Sequence, residues 1–432
     1  MKNALCRHSA FHRGCSRTGW SGHSGNIVAS DSEHPMTRLR SRRQVLNEAA
    51  ALALAATPLR ALAESPPSSP APADAFAADL VREIVAARPD GNVVVSPFSV
   101  QGALALAALG ARGDAREKLR AVIGPADLDP ATLHEWFSTP LLEATRAAFA
   151  RRVEIDPGYL RTIAQALGAH ASTMPDDPYA AAHAVNAWAD KATHHRIQQL
   201  VGEVPATVPL LLADAVYLNF RWSDSFSVDA TNDHPFHPTP GRSVDVPMMQ
   251  RLVTIQAGTI DVGMAALLPF EGQRGQGMHL VLPRPDLPVD AALDAVLRDP
   301  AMLAPAAGSH FRRQLVDLSL PRFELGLKAS FAAALRRIGL ESVFARADLS
   351  GISAGLRDSQ LGDVVQKAWM RVDEKGVEAA AVSVVSVEVT GMSVREPPPP
   401  PLKLVFDRPF AVVIRDKATL FAAIVRNPLL LA

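Results

Sequence analysis

An α+β architecture is what this sequence predicts. Helical periodicity dominates the first part of the folded region, and strand-like apolar runs dominate the remainder. Neither an internal repeat nor a Pro/Gly-rich linker interrupts the chain after residue 74, so one large domain is expected. The 432 residues are 48% hydrophobic and 20% charged, which supplies a large core. Lys+Arg and Asp+Glu both number 44, and this balance calls for neither nucleic acid nor an anionic membrane as partner.

Residues 1–63 read as a leader. The two cysteines, Cys6 and Cys15, precede Met36, a second candidate start, so the remaining chain has neither a disulfide framework nor a Cys-based metal site. After Met36, basic residues from Arg38 to Arg43 precede the apolar run Ala49–Ala56, and Ala61-Leu62-Ala63 fits a cleavage site. The run is too short to span a bilayer. Ser41-Arg42-Arg43-Gln44-Val45-Leu46 resembles the twin-arginine export motif, and Glu48 and Arg60 depart from such a signal. The plain alternative is a basic, Ala-rich disordered leader. Export to the periplasm or the extracellular space is the expectation. Residues 64–73 form a Pro/Ser-rich linker, and 74–432 a single domain.

Phe76, Leu80 and Ile84 predict a helix over Asp74–Ala87, stopped by Pro89-Asp90-Gly91. Val93–Val95 is a short buried strand. Ser96-Pro97-Phe98-Ser99 then turns into a helix apolar all round, Val100–Leu109, ended by Gly110. From Ala111 to Asp190 the Ala-rich pattern predicts mostly helix. Leu210–Phe220, Asp261–Pro269, Met278–Pro283 and Leu315–Phe323 read as strands, with a helix at Ser330–Ile338 ended by Gly339. The tail, Phe410–Ile414 and Leu420–Val425 around Arg415-Asp416-Lys417, predicts a buried hairpin.

The most informative stretch runs from Val364 to Phe410. A strand-like run ends at Val372, and Asp373-Glu374-Lys375-Gly376 comes next. Val377–Val389 is then thirteen residues without Pro or Gly, and the prolines Pro397–Pro401 close the segment. In one parity stand Val377, Ala379, Ala381, Ser383, Val385 and Val387, small or β-branched and uncharged; the other holds Glu378 and Glu388. The first set suits a core and nothing bars a central sheet position, yet a rigid polyproline run comes after it. By periodicity alone this is an ordinary strand followed by a surface loop, or an aggregation-prone edge strand.

Motifs in a consistent order resemble the serpin family over residues 74–432. They include Asn92–Ser99, Val185-Asn186-Ala187-Trp188 and the ADAVYLNFRW run Ala213–Trp222. Pro247-Met248-Met249, Pro321-Arg322-Phe323, Asp373–Ala381, Phe406–Phe410 and Asn427-Pro428 complete the set. The resemblance implies helices packed on three β-sheets, with an exposed reactive loop over about 376–401. It implies an inhibitor, not an enzyme. A serine protease cuts the loop and forms a covalent acyl-enzyme, the loop enters the central sheet, and the protease is trapped. Glu374, Gly376, Val377, Glu378, Ala379, Ala380 and Ala381 match the loop hinge, whose small side chains favour insertion. Family spacing places the cleaved bond at Thr390–Gly391, with Met392–Ser393 as the alternative. With no Lys or Arg just before it, elastase-, subtilisin- or chymotrypsin-like proteases are the expected targets. Ser96, Ser99, Asp214 and Gln366 match the shutter under the central sheet, and Trp222 and Arg322 the breach at its top. Asp214 replaces the usual Asn and Gln366 the usual His, a pair that would still hydrogen-bond. A monomer without cofactor or metal is implied.

Two other classes stay open. A non-inhibitory serpin would bind a ligand or act as a chaperone. A serine hydrolase would use Ser353, since Gly351-Ile352-Ser353-Ala354-Gly355 matches G-x-S-x-G; its flanks lack the required strand and helix. His194-His195 has no third ligand at metal spacing.

Overall fold

The computed structural model describes residues 71–192, 195, 198–218, 220–273, 275–305, 309–377 and 399–430. Export signal, linker start and most of the loop (378–398, with Glu378, Ala379, Ala380, Ala381, Thr390, Gly391, Met392 and Ser393) lie outside the described residues.

Helix α1 (Pro72–Ala86) opens on a proline and buries Phe76, Leu80 and Ile84. After β1 (Val93–Val95), Ser96 caps α2 (Pro97–Gly110), its hydroxyl accepting from the Ser99 amide at 3.3 Å. Every residue of α2 is buried, including Ser99 and Gln101 within its otherwise apolar sequence. Next in the chain are α3 (Gly113–Ile123), α4 (Pro130–Phe137), β2 (Glu143–Ala150), α5 (Pro157–Leu167), β3 (His170–Thr173) and α6 (Pro178–Ala192). The chain then turns to sheet: β4 (Leu210–Tyr217), β5 (Phe220–Arg221), β6 (Thr231–Thr239), β7 (Arg242–Ile260), β8 (Gly263–Pro269) and β9 (Gly277–Pro283). After α7 (Val289–Arg298) come β10 (Arg312–Pro321), β11 (Phe323–Ser330), α8 (Ala332–Leu335) and α9 (Glu341–Ala345). The last strands are β12 (Asp363–Val372), β13 (Gly376–Val377), β14 (Leu402–Val405), β15 (Phe410–Arg415) and β16 (Thr419–Val425).

Two hydrogen-bonded networks result. One runs β3-β2-β4-β12-β13-β5, with β11 on the other edge of β12. The other runs β1-β16-β15-β9-β8-β7-β10-β14, with β6 also on β7. The three sheets implied by the resemblance are therefore two continuous ladders. Nineteen-residue β7 pairs first with β6, then β10, then β8, and so joins two of the three.

Two local expectations are corrected. The Ala-rich stretch after residue 111 contains strands β2 and β3. Ala147 and Phe149 pack with Ala181 and Val185 of α6, while Ala148 and Ala150 belong to the main core. Alanine suits a strand covered on both faces, and its helix propensity is overridden by that packing. The single run Leu315–Phe323 is two strands, β10 and β11, in different networks, broken at Arg322. The helix expected at Ser330–Ile338 starts at Ala332 as α8 and runs on into a π turn, Arg336–Leu340, where Gly339 at φ +105° breaks it as the glycine stop predicts.

Candidate functional site

The site is the seam between β4 and β12. These strands are adjacent and parallel, with Asp363 to Lys367 opposite Leu211 to Ala215. Their ladder covers half of ten-residue β12. Above it the chain leaves β12 at Val372, turns through Asp373–Lys375, and returns as β13. Val377 pairs antiparallel with Val372 on one side and Phe220 on the other. Strand β5 begins shortly after β4 ends, so β13 lies between that continuation and β12.

This corrects the expectation that the loop is exposed from Gly376 onward: Val377 is fully buried. An apolar side chain at the first hinge position has a pocket here, where a charged one would not. Gly376 is required by close approach, since a Cβ would sit 2.1 Å from the Phe220 carbonyl oxygen at φ +155°.

The hinge turn is tied down on all sides. Asp373 N donates to Gly376 O at 3.1 Å, and Trp222 N to Lys375 O at 3.1 Å. The indole Nε1 of buried Trp222 donates to Asp373 O at 2.9 Å, and its ring stacks on Phe270 with centroids 5.8 Å apart. Arg322 Nε donates to Glu374 Oε1 at 2.7 Å, and Thr231 Oγ1 donates to the same oxygen at 2.5 Å. Burial works to raise the Glu374 carboxyl, but the Arg322 and Thr231 bonds and the Arg322 charge outweigh it and hold it below its usual value. The sequence match of Trp222, Arg322 and Glu374 to the top of the sheet thus becomes one connected cluster.

Beneath the seam, both lips are pinned to the turn that starts α2. On the β12 lip, the Gln366 side chain accepts from Ser96 N and donates to Ser96 O, both at 3.1 Å. On the β4 lip, Ser99 Oγ donates to Asp214 Oδ1. Asp214 and Gln366 are Cα partners in the ladder, yet each bonds to a different serine of the turn. The hydrogen bond expected between Asp214 and Gln366 is not among those described; a charged carboxylate instead finds a cation. Arg146 of β2 is the Cα partner of Asp214 on its other side, and its Nε lies 2.8 Å from Asp214 Oδ2. Arg146, Asp214 and Gln366 form a polar row across three strands, each at most 2% exposed. Burial pushes the Asp214 carboxyl up to about 6, although the Arg146 charge and the Ser99 hydroxyl pull the other way.

Sequence reasoning missed Arg146. Its signal was the one cation in the Ala-rich run of Glu143–Ala150, which gains meaning only when β2 is recognised as a strand beside Asp214. Ser353 is 4% exposed and precedes a 3₁₀ turn, Ala354–Leu356, without the strand that a nucleophile elbow needs. His195 pairs with Asp190 at 2.8 Å on an exposed surface, and His194 lies outside the described residues.

The family model for Serpin (serine protease inhibitor) matches residues 71–428. The chain belongs to the serpin family. Iripin-8 of Ixodes ricinus is 32% identical over 348 residues, covering 76% of this chain and 85% of that protein. The leukocyte elastase inhibitor of Bos taurus is 29% identical over 369 residues, covering 79% of this chain and 94% of its relative. Among solved structures, Serpin48, a highly specific serpin of Tenebrio molitor, superposes with a TM-score of 0.69 at 26% identity. That match covers 82% of this chain and 97% of the other. The family is one of serine protease inhibitors, not of catalysts. The hydrolase reading of Ser353 therefore falls.

Proposed function

We propose that this serpin is a suicide-substrate inhibitor of elastase-, subtilisin- or chymotrypsin-like serine proteases. It is cut at Thr390–Gly391, with Met392–Ser393 as the alternative bond. The severed loop enters the β4–β12 seam while the protease is still joined to it as an acyl-enzyme. A leader carrying basic and apolar stretches before the linker supports export, and the protein works as a monomer.

One observation carries the reading: Gly376–Val377 already lies at the top of the seam, between β5 and β12 and antiparallel to both. Two parallel strands can admit between them one strand of opposite direction, which forms antiparallel ladders on both sides. Antiparallel pairing is the slightly more stable kind per residue. Extending the Val372–Val377 register downward sets Ser383 opposite Gln366 and Val385 opposite Val364. The uncharged parity Val377, Ala379, Ala381, Ser383, Val385, Val387 then faces the core, with its one hydroxyl arriving at the polar row. The alternation in the sequence and the register in the fold thus agree.

The test is to mix the protein with pancreatic elastase or subtilisin and run a denaturing gel. A heat- and detergent-stable adduct is expected, and the loop-cleaved protein should melt hotter than the intact one. Clean cleavage without adduct would leave the non-inhibitory reading. A nicked form that melts no hotter would end the insertion model.

A further inference from the structure

The row beneath the seam contains an ion pair that trapping by insertion does not by itself require. Both lips, β4 through Asp214 and β12 through Gln366, hang on the four residues Ser96–Ser99. Inserting a strand widens the spacing of β4 and β12 from ~5 Å to ~10 Å. Asp214 and Gln366 then cannot both keep their serines, so one clamp must let go before the loop can descend.

The β4 clamp differs in kind from the β12 clamp. Gln366 is neutral and doubly bonded. Asp214 is an acid at 1% exposure, and a single hydroxyl does not compensate a buried carboxylate. The compensation comes from Arg146, itself 2% exposed. Three features hold this guanidinium in place. Its Cζ lies 5.0 Å from the Phe137 ring centroid. Gly102, in the middle of α2, makes room for it: a Cβ there would sit 2.1 Å from Arg146 Nε. The strand register sets Arg146 directly beside Asp214. The 2.8 Å approach of Nε to Asp214 is off the line of a hydrogen bond, and Arg146 Nη2 has no hydrogen-bond partner among the described residues. Charge and confinement, more than directed bonds, therefore hold the pair. Arg146 also borders a pocket of ≈ 380 Å³ together with Phe137, Ala144 and Leu167.

We propose that Arg146 is a positioning residue for loop insertion. By neutralising Asp214 it keeps that carboxylate on Ser99 and sets how readily the β4–β12 seam parts. Gly102, Arg146 and Asp214 form one unit, in which the acid on β4 requires the cation on β2 and the cation requires the glycine on α2. The inference rests on the insertion reading of the loop.

A synthetic peptide copying residues 377–389, incubated with the intact protein at neutral pH, tests it. Uptake into the seam is followed as a band shift on native gels. Arg146→Met should take up peptide roughly tenfold faster or more, because Asp214 without its cation must either stay an uncompensated buried charge or take up a proton, and either way it holds Ser99 less firmly. Arg146→Lys, which keeps the charge, should stay near wild type. The double variant Arg146→Met/Asp214→Asn should return to within about threefold of wild type, since a neutral amide accepts from Ser99 without a cation. Gly102→Ala displaces the guanidinium without removing it and should also speed uptake, which covers the case that Arg146→Met does not fold. If Arg146→Met or Gly102→Ala takes up peptide at the wild-type rate, the proposal is overturned. So it is if the double variant is as fast as the single, because lost packing would then explain the effect. If wild type takes up no peptide at all, the insertion reading falls first.

Discussion

Asp214 shows how far a single residue departs from what its position predicts. The family usually places a neutral amide there; in this chain a carboxyl lies at 1% exposure with its value pushed up to about 6, against 3.8 for the free side chain. The folded state thus binds a proton more tightly than the unfolded chain does. Its contribution to stability is fully present below about 3.8 and is lost as pH rises toward 6. Glu374, held low by Arg322 and Thr231, works in the opposite sense and loses its contribution as pH falls. Subtracting the denaturant stability curve of Asp214→Asn from that of wild type isolates the first group. The difference should move against wild type by on the order of 2–3 kcal/mol between about pH 4 and pH 6.5, then level off. A flat difference curve would show that Asp214 is ionised throughout. Part of this was legible in the sequence: Ser96, Ser99, Asp214 and Gln366 fall together by resemblance. The partner of Asp214 does not, because a charge in an alanine run carries no address until its strand is known.

Strand β13 is two residues long, yet it decides how the loop begins. Alternation in Val377–Val389 correctly marks Val377 as core-facing, whereas the reversal through Asp373–Lys375 shows only in the fold. What sequence did not show is that Val377 is already in place, because burial between Val372 and Phe220 depends on strands far apart in the chain. Val377→Arg therefore acts on the intact molecule as well as on insertion. An unpaired charge in that pocket should expel the hinge and turn the inhibitor into a substrate. On the adduct gel, cleaved serpin should replace complex, and thermal melting of the uncut variant should fall. Full trapping by this variant would contradict the hinge assignment. Elements with a strong local code were readable, such as α1, α2 and the β15–β16 hairpin. Strands β2, β3 and β6 were not: β2 is covered on both faces and shows no alternation, and β6 carries two prolines at an edge.

Across the whole molecule, the two networks differ in how they can move. The nine-stranded ladder is welded by β7 and by antiparallel neighbours along most of its width, whereas β10–β14 is its parallel pair. The seven-stranded network has two parallel contacts, β2–β3 at an edge and β4–β12 near the centre, the latter zipped for five residue pairs and capped by the Trp222–Arg322–Glu374 cluster. A change of strand count is thus expected in one network and not in the other.

The seam also lends itself to fastening. Its strands are parallel neighbours, with Ala213 directly opposite Val365, and the chain's two natural thiols, Cys6 and Cys15, lie far upstream in sequence. Adjacent strands at ~5 Å fit the Cα spacing of a disulfide. Ala213→Cys with Val365→Cys should give a molecule that proteases merely digest while oxidised, and that traps them again once a reductant is added. An oxidised form that still yields adduct would mean the loop travels by another route. The same parallel contact that makes room for one more strand would thereby serve as a redox latch.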